Sequence, residues 1–211
     1  MSTLLVIAKE PVPGRVKTRL SPPFSPEDAA RIAEASLADT LQAVAETAAT
    51  RRVLVLDGAP GPWLPPGFDV VPQCAGGLDE RLTAAFGLCT GPAVLIGMDT
   101  PQVTPALLGT ALDFGSSSEA CFGPAADGGF WALGFATSPE PALLRGVPMS
   151  VPETGAVQRG RLIAAGLAVR DLPVLRDVDT AAVATAVATE APGTRFAALH
   201  AELTGARAVR R

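Results

Sequence analysis

The chain has one histidine, His200, and three cysteines, Cys74, Cys89 and Cys121. With a lone histidine in a C-terminal stretch that reads as helical, and no Gly-x-Ser-x-Gly turn, a Ser-His-Asp hydrolase is excluded. His200 is expected to pack or to lie at the surface. The cysteines are odd in number and lack a Cys-x-x-Cys pair. That rules out a disulfide framework and a paired-ligand zinc site, and it suits a reducing compartment. No apolar run is long enough to span a membrane or to form a signal-peptide core. The run at residues 4–8 is closed at once by Lys9 and Glu10, so a cytoplasmic protein with no membrane partner is expected.

A dominant basic surface is also missing. Seventeen Lys and Arg stand against 21 Asp and Glu, a net charge of −4, which argues against nucleic acid as a partner. The basic tail at residues 207–211 is too short to change that balance and is expected to fray. No Gly/Ser-rich or charged linker divides the 211 residues, 48% of them hydrophobic, so a single domain over 1–211 is expected. No Gly-x-Gly-x-x-Gly follows an expected strand, which disfavours a nicotinamide or flavin site. Nor is there a Walker A loop, because Arg15 and Val16 separate Gly14 from Lys17.

What the chain does contain is an alternation of short apolar strands and amphipathic helices. Apolar, β-branched runs predict strands at 3–8, 52–56, 69–71, 93–97, 120–122, 130–135 and 168–172. Helices are predicted after Ser25-Pro26, over 78–86, after Thr104-Pro105 to about 114, and over 152–165 and 180–190. The first of them carries Ala33, Leu37, Leu41 and Val44 on one face. This pattern predicts an α/β fold with a mostly parallel sheet covered on both faces. Such sheets bind ligands in the crevice at the carboxyl ends of their strands.

Four segments at those ends carry candidate chemistry. After the first strand, Lys9, Arg15, Lys17 and Arg19 fall within eleven residues, with Gly14 and two prolines shaping the loop. Arginine grips phosphate oxygens bidentately and lysine adds a mobile point charge, so a polyphosphate is the expected partner. Were this stretch extended, Lys17 and Arg19 would project to one side. Asp99, at the end of a buried strand and followed by Thr100-Pro101, suits a hard cation such as Mg²⁺ or Mn²⁺. Asp179, in Asp177-Val178-Asp179-Thr180, is either a second metal ligand or a helix cap. Asp127, with Gly128 and Gly129, offers an acceptor for a sugar or acceptor hydroxyl, and Trp131 nearby either borders the pocket or packs in the core. Gln73, followed by Gly76-Gly77, can both donate to and accept from a nucleobase edge.

Read in order, these motifs resemble the DUF2064 family of bacterial GT-A-like transferases. The resemblance rests on Ala8-Lys9 with Pro13-Gly14-Arg15-Val16-Lys17-Thr18-Arg19-Leu20, then Gln73 with Gly76-Gly77-Leu78 and Glu80-Arg81. It continues through Leu95-Ile96-Gly97-Met98-Asp99-Thr100-Pro101, Gly123-Pro124 with Asp127-Gly128-Gly129, and Asp177-Val178-Asp179-Thr180. It implies a three-layer, Rossmann-like nucleotide-diphospho-sugar transferase fold, with Asp99 and Asp179 serving the metal. Members are often labelled arsenosugar-biosynthesis-type or radical-SAM-associated glycosyltransferases, and the guanylyltransferase of coenzyme F420 biosynthesis is related. Asp79 and Phe130-Trp131 depart from the usual pattern, where a small residue and Tyr-Tyr are common. The expected reaction is nucleotidyl transfer from a nucleoside triphosphate to a small phosphate- or phosphonate-bearing acceptor. Lys17 and Asp99 would be its catalytic groups, and Lys9, Gly14, Arg15, Arg19, Gln73 and Gly76 would bind the nucleotide. Glycosyl transfer from a UDP- or GDP-sugar is the alternative, and a nucleotide-binding module without chemistry is a third reading.

Overall fold

Seven strands form one sheet in a computed structural model that describes residues 2–208. They are β1 Thr3–Lys9, β2 Arg51–Asp57, β3 Asp69–Pro72, β4 Ala93–Gly97, β5 Glu119–Pro124, β6 Phe130–Phe135 and β7 Ala168–Asp171. Their order is β3-β2-β1-β4-β6-β5-β7, all parallel except β6, which runs antiparallel to β4 and β5. The central strands have apolar runs because both their faces are covered. Successive residues of β1 therefore enter different cores. Leu4, Val6 and Ala8 join the layer under α1 (Pro26–Glu46) and α3 (Pro105–Leu112). Leu5 packs on the other side, beneath α2 (Leu78–Phe86) and α4 (Thr154–Ala164).

The expected face of the first helix is at the core, with Ala33, Leu37, Leu41 and Val44 all fully buried. Ser25 caps α1 by accepting from the Asp28 amide at 3.1 Å. Behind α1, α5 (Ala181–Glu190) and α6 (Arg195–Ala208) close a third cluster around Phe24, Ile32, Val187 and Phe196. His200 of α6 packs there, its ring 6.0 Å from Phe24 and 6.2 Å from Phe196. Of the basic tail expected to fray, 209–211 lie outside the described residues. No described helix is long and apolar enough to cross a membrane.

One stretch departs from expectation. Residues 10–20 do not run extended: Lys17 takes a left-handed conformation, φ 49°, and opens a 3-10 turn at Thr18–Leu20. The chain is thereby folded back over the end of β4, which brings Lys17 and Arg19 to one acidic cluster by a route that strand geometry does not describe.

Candidate functional site

β1 and β4 lie side by side at the centre of the sheet, and the chain after them leads to opposite sides, from β1 to β2 and from β4 to β5. The crevice at their carboxyl ends is therefore where a ligand has room to sit. β5 runs parallel to β4, so the β5–β6 turn and the chain leaving β7 reach the same edge.

Asp99 leaves β4 in a braced position. The Ser36 hydroxyl, fully buried in α1, donates to the Met98 carbonyl at 2.9 Å. The Asp99 carbonyl accepts from the Val178 amide at 2.9 Å, which ties the β4 end to the segment after β7. That segment is strapped along its length. Trp131 donates its indole N–H to the Pro173 carbonyl at 3.0 Å, and the Ala126 amide donates to the Leu175 carbonyl at 2.9 Å. Trp131 is thus a core residue, 2% exposed, whose polar edge holds the strap that bears Asp177 and Asp179.

Lys17 enters this frame from the first loop. Its Nζ lies 2.8 Å from Asp99 Oδ2 and 3.8 Å from Asp179 Oδ1, and its side chain is only 6% exposed. Arg19 pairs with the other oxygen of Asp179 at 2.6 Å but is 75% exposed, so this outer pair adds little stability. Asp177 belongs to the same cluster. Burial pushes its carboxyl up to about 7, helped by the charges of Asp99, Asp127 and Asp179 and opposed by Lys17. Sequence reasoning named only Asp179 from this motif.

Asp99 Oδ1 and Asp177 Oδ1 are buried and accept no hydrogen bond. Bare buried carboxylate oxygens favour a cation, and hard oxygen donors suit Mg²⁺ or Mn²⁺. Among the described residues, no three His, Cys, Asp or Glu side chains form a metal-holding group. The donor set therefore fits an ion that takes one or two protein carboxylates and completes its shell elsewhere, rather than an all-protein cage.

The other expected site residues lie around this centre. Asp127 Oδ1 accepts from the Gly129 amide at 2.9 Å, shaping the β5–β6 turn. Gly128, at φ 92°, presses on the next loop: a Cβ there would stand 2.1 Å from the Pro152 carbonyl oxygen. Lys9 and Arg15 line a small cleft of about 60 Å³ with Glu10, Val16 and Asp57, and Gly14 has φ 75° in the same loop. Gln73 donates both amide protons, to the Ala8 and Val55 carbonyls at 2.7 and 3.2 Å, and accepts from Arg81 at 3.0 Å. In this arrangement it keeps no donor for a base. Arg81 also donates to the Gly76 carbonyl at 3.0 Å, so Gln73 and Gly76 are brought together through it.

Asp79 accepts from the Gly146 amide at 2.8 Å, which holds its carboxyl below the ordinary range and pins α2 to the loop before α4. A cavity of about 620 Å³ at the opposite end of the sheet, lined in part by Glu119, Phe135, Leu143 and Arg161, contains none of these residues.

With this geometry, comparisons with known proteins are informative. The model of the DUF2064 family, described as an uncharacterized protein conserved in bacteria, matches residues 30–151. No curated protein matches the chain. A crystal structure from Desulfovibrio desulfuricans G20, described as a nucleotide-diphospho-sugar transferase, is 27% identical with a TM-score of 0.84. It covers 98% of this chain and 95% of its own. Rv0371c of Mycobacterium tuberculosis H37Rv is 25% identical, TM-score 0.57, over 88% of this chain and 96% of its own. A CMP:2-keto-3-deoxy-manno-octonic acid synthetase complexed with CTP is 14% identical, TM-score 0.53, over 90% and 98%, a likeness of fold alone. The fold is thus that of the nucleotidyl and nucleotide-sugar transferases.

Proposed function

The chain belongs to the DUF2064 family, and we propose that it is a metal-dependent nucleotidyltransferase that moves a nucleoside monophosphate from a triphosphate to a small phosphate- or phosphonate-bearing acceptor. The observation that carries this reading is the delivery of a buried lysine, Lys17, from a cation-rich loop into a cluster of carboxylates at the carboxyl ends of β1 and β4. Asp99 and Asp179 would hold Mg²⁺ or Mn²⁺, with Asp177 beside them. When bound, such an ion supplies positive charge to the phosphate oxygens and the leaving pyrophosphate.

The remaining work falls to the protein. Lys17, Arg15 and Arg19 neutralise the triphosphate and hold it in line, and the loop amides beside Gly14 offer further donors. Asp127 positions the acceptor across the crevice from the cationic loop. Catalysis in this scheme is alignment and charge neutralisation, with no covalent enzyme intermediate.

Pyrophosphate release tests it. The protein is incubated with each of the four nucleoside triphosphates, Mg²⁺ or Mn²⁺, and phosphate- or phosphonate-bearing acceptors. One triphosphate should be consumed in a metal-dependent reaction that falls at least about a hundredfold in Lys17→Ala. Unchanged release in that variant rejects the assignment.

A second reading, glycosyl transfer from a UDP- or GDP-sugar, is favoured by one finding: the Desulfovibrio structure that matches nearly the whole chain is described as a nucleotide-diphospho-sugar transferase. Transfer of a labelled sugar without pyrophosphate release distinguishes it. The protein is read as a cytoplasmic single domain under either reaction.

A further inference from the structure

Asp99 and Asp179 are the carboxylates assigned above to the metal, yet both already have a cation. Lys17 Nζ stands 2.8 Å from one and 3.8 Å from the other, and its side chain is almost wholly buried. Metal–oxygen bonds for Mg²⁺ are roughly 2.1 Å long, so an ammonium this close to Asp99 Oδ2 competes for the volume a bound ion needs. An ion bound to Asp99 through Oδ2 would have to displace the ammonium from that oxygen.

We propose that Lys17 is a resident counter-ion that blocks the metal site of the nucleotide-free protein, and that the polyphosphate of the incoming nucleotide draws it away, so that the metal enters with its nucleotide. This rests on the reading of Asp99 and Asp179 as metal ligands.

Three observations support it. Among the described residues, Lys17 has the one buried ammonium that the ion pairs place among these carboxylates, while the second cation there, Arg19, is exposed and bonded to Asp179. Asp99 Oδ1 and Asp177 Oδ1 keep no partner, so the lysine fills the site only in part and leaves coordination unused. Lys17 also holds a backbone conformation, φ 49° and ψ 37°, that non-glycine residues seldom adopt. When it leaves, the lysine changes partners, from Asp99 to a phosphate oxygen. The metal gains the carboxylate in the same event, so each carboxylate and each phosphate oxygen that loses one cationic partner gains another.

The test is Mn²⁺ binding to the nucleotide-free protein, followed by the paramagnetic resonance signal of the free ion. Lys17→Met keeps the aliphatic stem and removes the charge. It should bind Mn²⁺ about tenfold or more tightly than wild type, while Arg19→Gln should change binding by less than about threefold. Equal affinity of wild type and Lys17→Met overturns the proposal, as does failure of a folded Lys17→Met to bind the ion.

A second measurement uses the native chain. Reductive methylation read by mass spectrometry should leave Lys17 unmodified without metal and modify it at saturating Mn²⁺. Protection unchanged by Mn²⁺ also overturns the proposal. Loss of metal-dependent pyrophosphate release in wild type would sink the reaction assignment, and these binding results stand apart from it.

Discussion

Two glycines of one helix, α4, should respond to the same substitution with opposite signs. Gly155 packs against the β5–β6 turn: its amide donates to the Gly128 carbonyl at 2.8 Å. A Cβ at this position would stand 2.5 Å from the Gly129 oxygen and 2.8 Å from the Gly128 oxygen, both backbone atoms that cannot rotate away. Gly160 has nothing within 4 Å of the same position. Overpacking against backbone costs about 1–3 kcal/mol, and alanine returns roughly 0.5–1 kcal/mol of helix propensity. Gly155→Ala should therefore lose about 1–2 kcal/mol and Gly160→Ala should gain about 0.5–1 kcal/mol. At roughly 2–4 °C per kcal/mol for a chain of this size, the two melting points should separate by about 3–12 °C. Differential scanning fluorimetry without ligand reads the stability. Because the displaced turn bears Asp127, Gly155→Ala should also raise the KM for acceptor several-fold while leaving the KM for nucleotide within about twofold. Gly155→Ala as stable as Gly160→Ala, with an unchanged acceptor KM, would refute the claim that the turn is locked to α4.

Ser36→Ala removes the hydroxyl that donates to the Met98 carbonyl, so it should lower stability by about 1–2 kcal/mol in urea titrations. Its Mn²⁺ affinity should also fall, since the Asp99 end of β4 loses a brace. His200, buried against Phe24 and Phe196, has its pKa held below the ordinary 6.5 by that burial. Its contribution to stability is present above 6.5 and lost as pH falls through the lower folded value. A melting curve series from pH 8 to 5 should drop more steeply for wild type than for His200→Gln. Of the three thiols, Cys74 is exposed while Cys89 and Cys121 are buried, and burial pushes Cys121 up to about 12. A thiol-reactive chromophore should label one cysteine quickly in the native chain and the other two only on unfolding.

The elements were legible where one local signal decided them. Ala93–Gly97 and Phe130–Phe135 have the limits their apolar runs predict, because a strand covered on both faces admits little else, and helix Leu78–Phe86 has the limits predicted for it. Ser25, Thr104 and Thr180 announce helices by chemistry held within four residues, and each side chain accepts from the amide three residues on. The site was legible as a set of segments but not as a set of partners. Lys17 and Asp99 are 82 positions apart, and their pairing depends on a 3-10 turn that nothing in Val16-Lys17-Thr18 signals. Gln73 looked free to read a base because its bonds to the Ala8 and Val55 carbonyls exist only once β1, β2 and β3 lie side by side. Ser36 sits in an apolar helix and gave no sign of function. From Asp177-Val178-Asp179-Thr180 the sequence singles out Asp179, and nothing in it signals the burial of Asp177. The segment that bears Asp177 is held by Trp131 and Ala126, two long-range contacts, and one oxygen of Asp177 is buried there.

The charges of the site constrain its ligand more tightly than the fold does. Burial raises the carboxyl of Asp177, and the charges of Asp99, Asp127 and Asp179 raise it further. Lys9 and Arg15 line the neighbouring cleft, with Arg19 at the outer side of Asp179. A free phosphate would meet the carboxylates as well as the cations, and a neutral sugar would leave both unsatisfied. A divalent cation bound to a polyphosphate meets both at once, its positive end among the aspartates and its oxygens along the cationic loop. In that complex Lys17 belongs with the phosphates, since the metal takes over the charge it now balances. On the proposed reading, this charge pattern favours a metal-bound polyphosphate over a free phosphate or a neutral sugar.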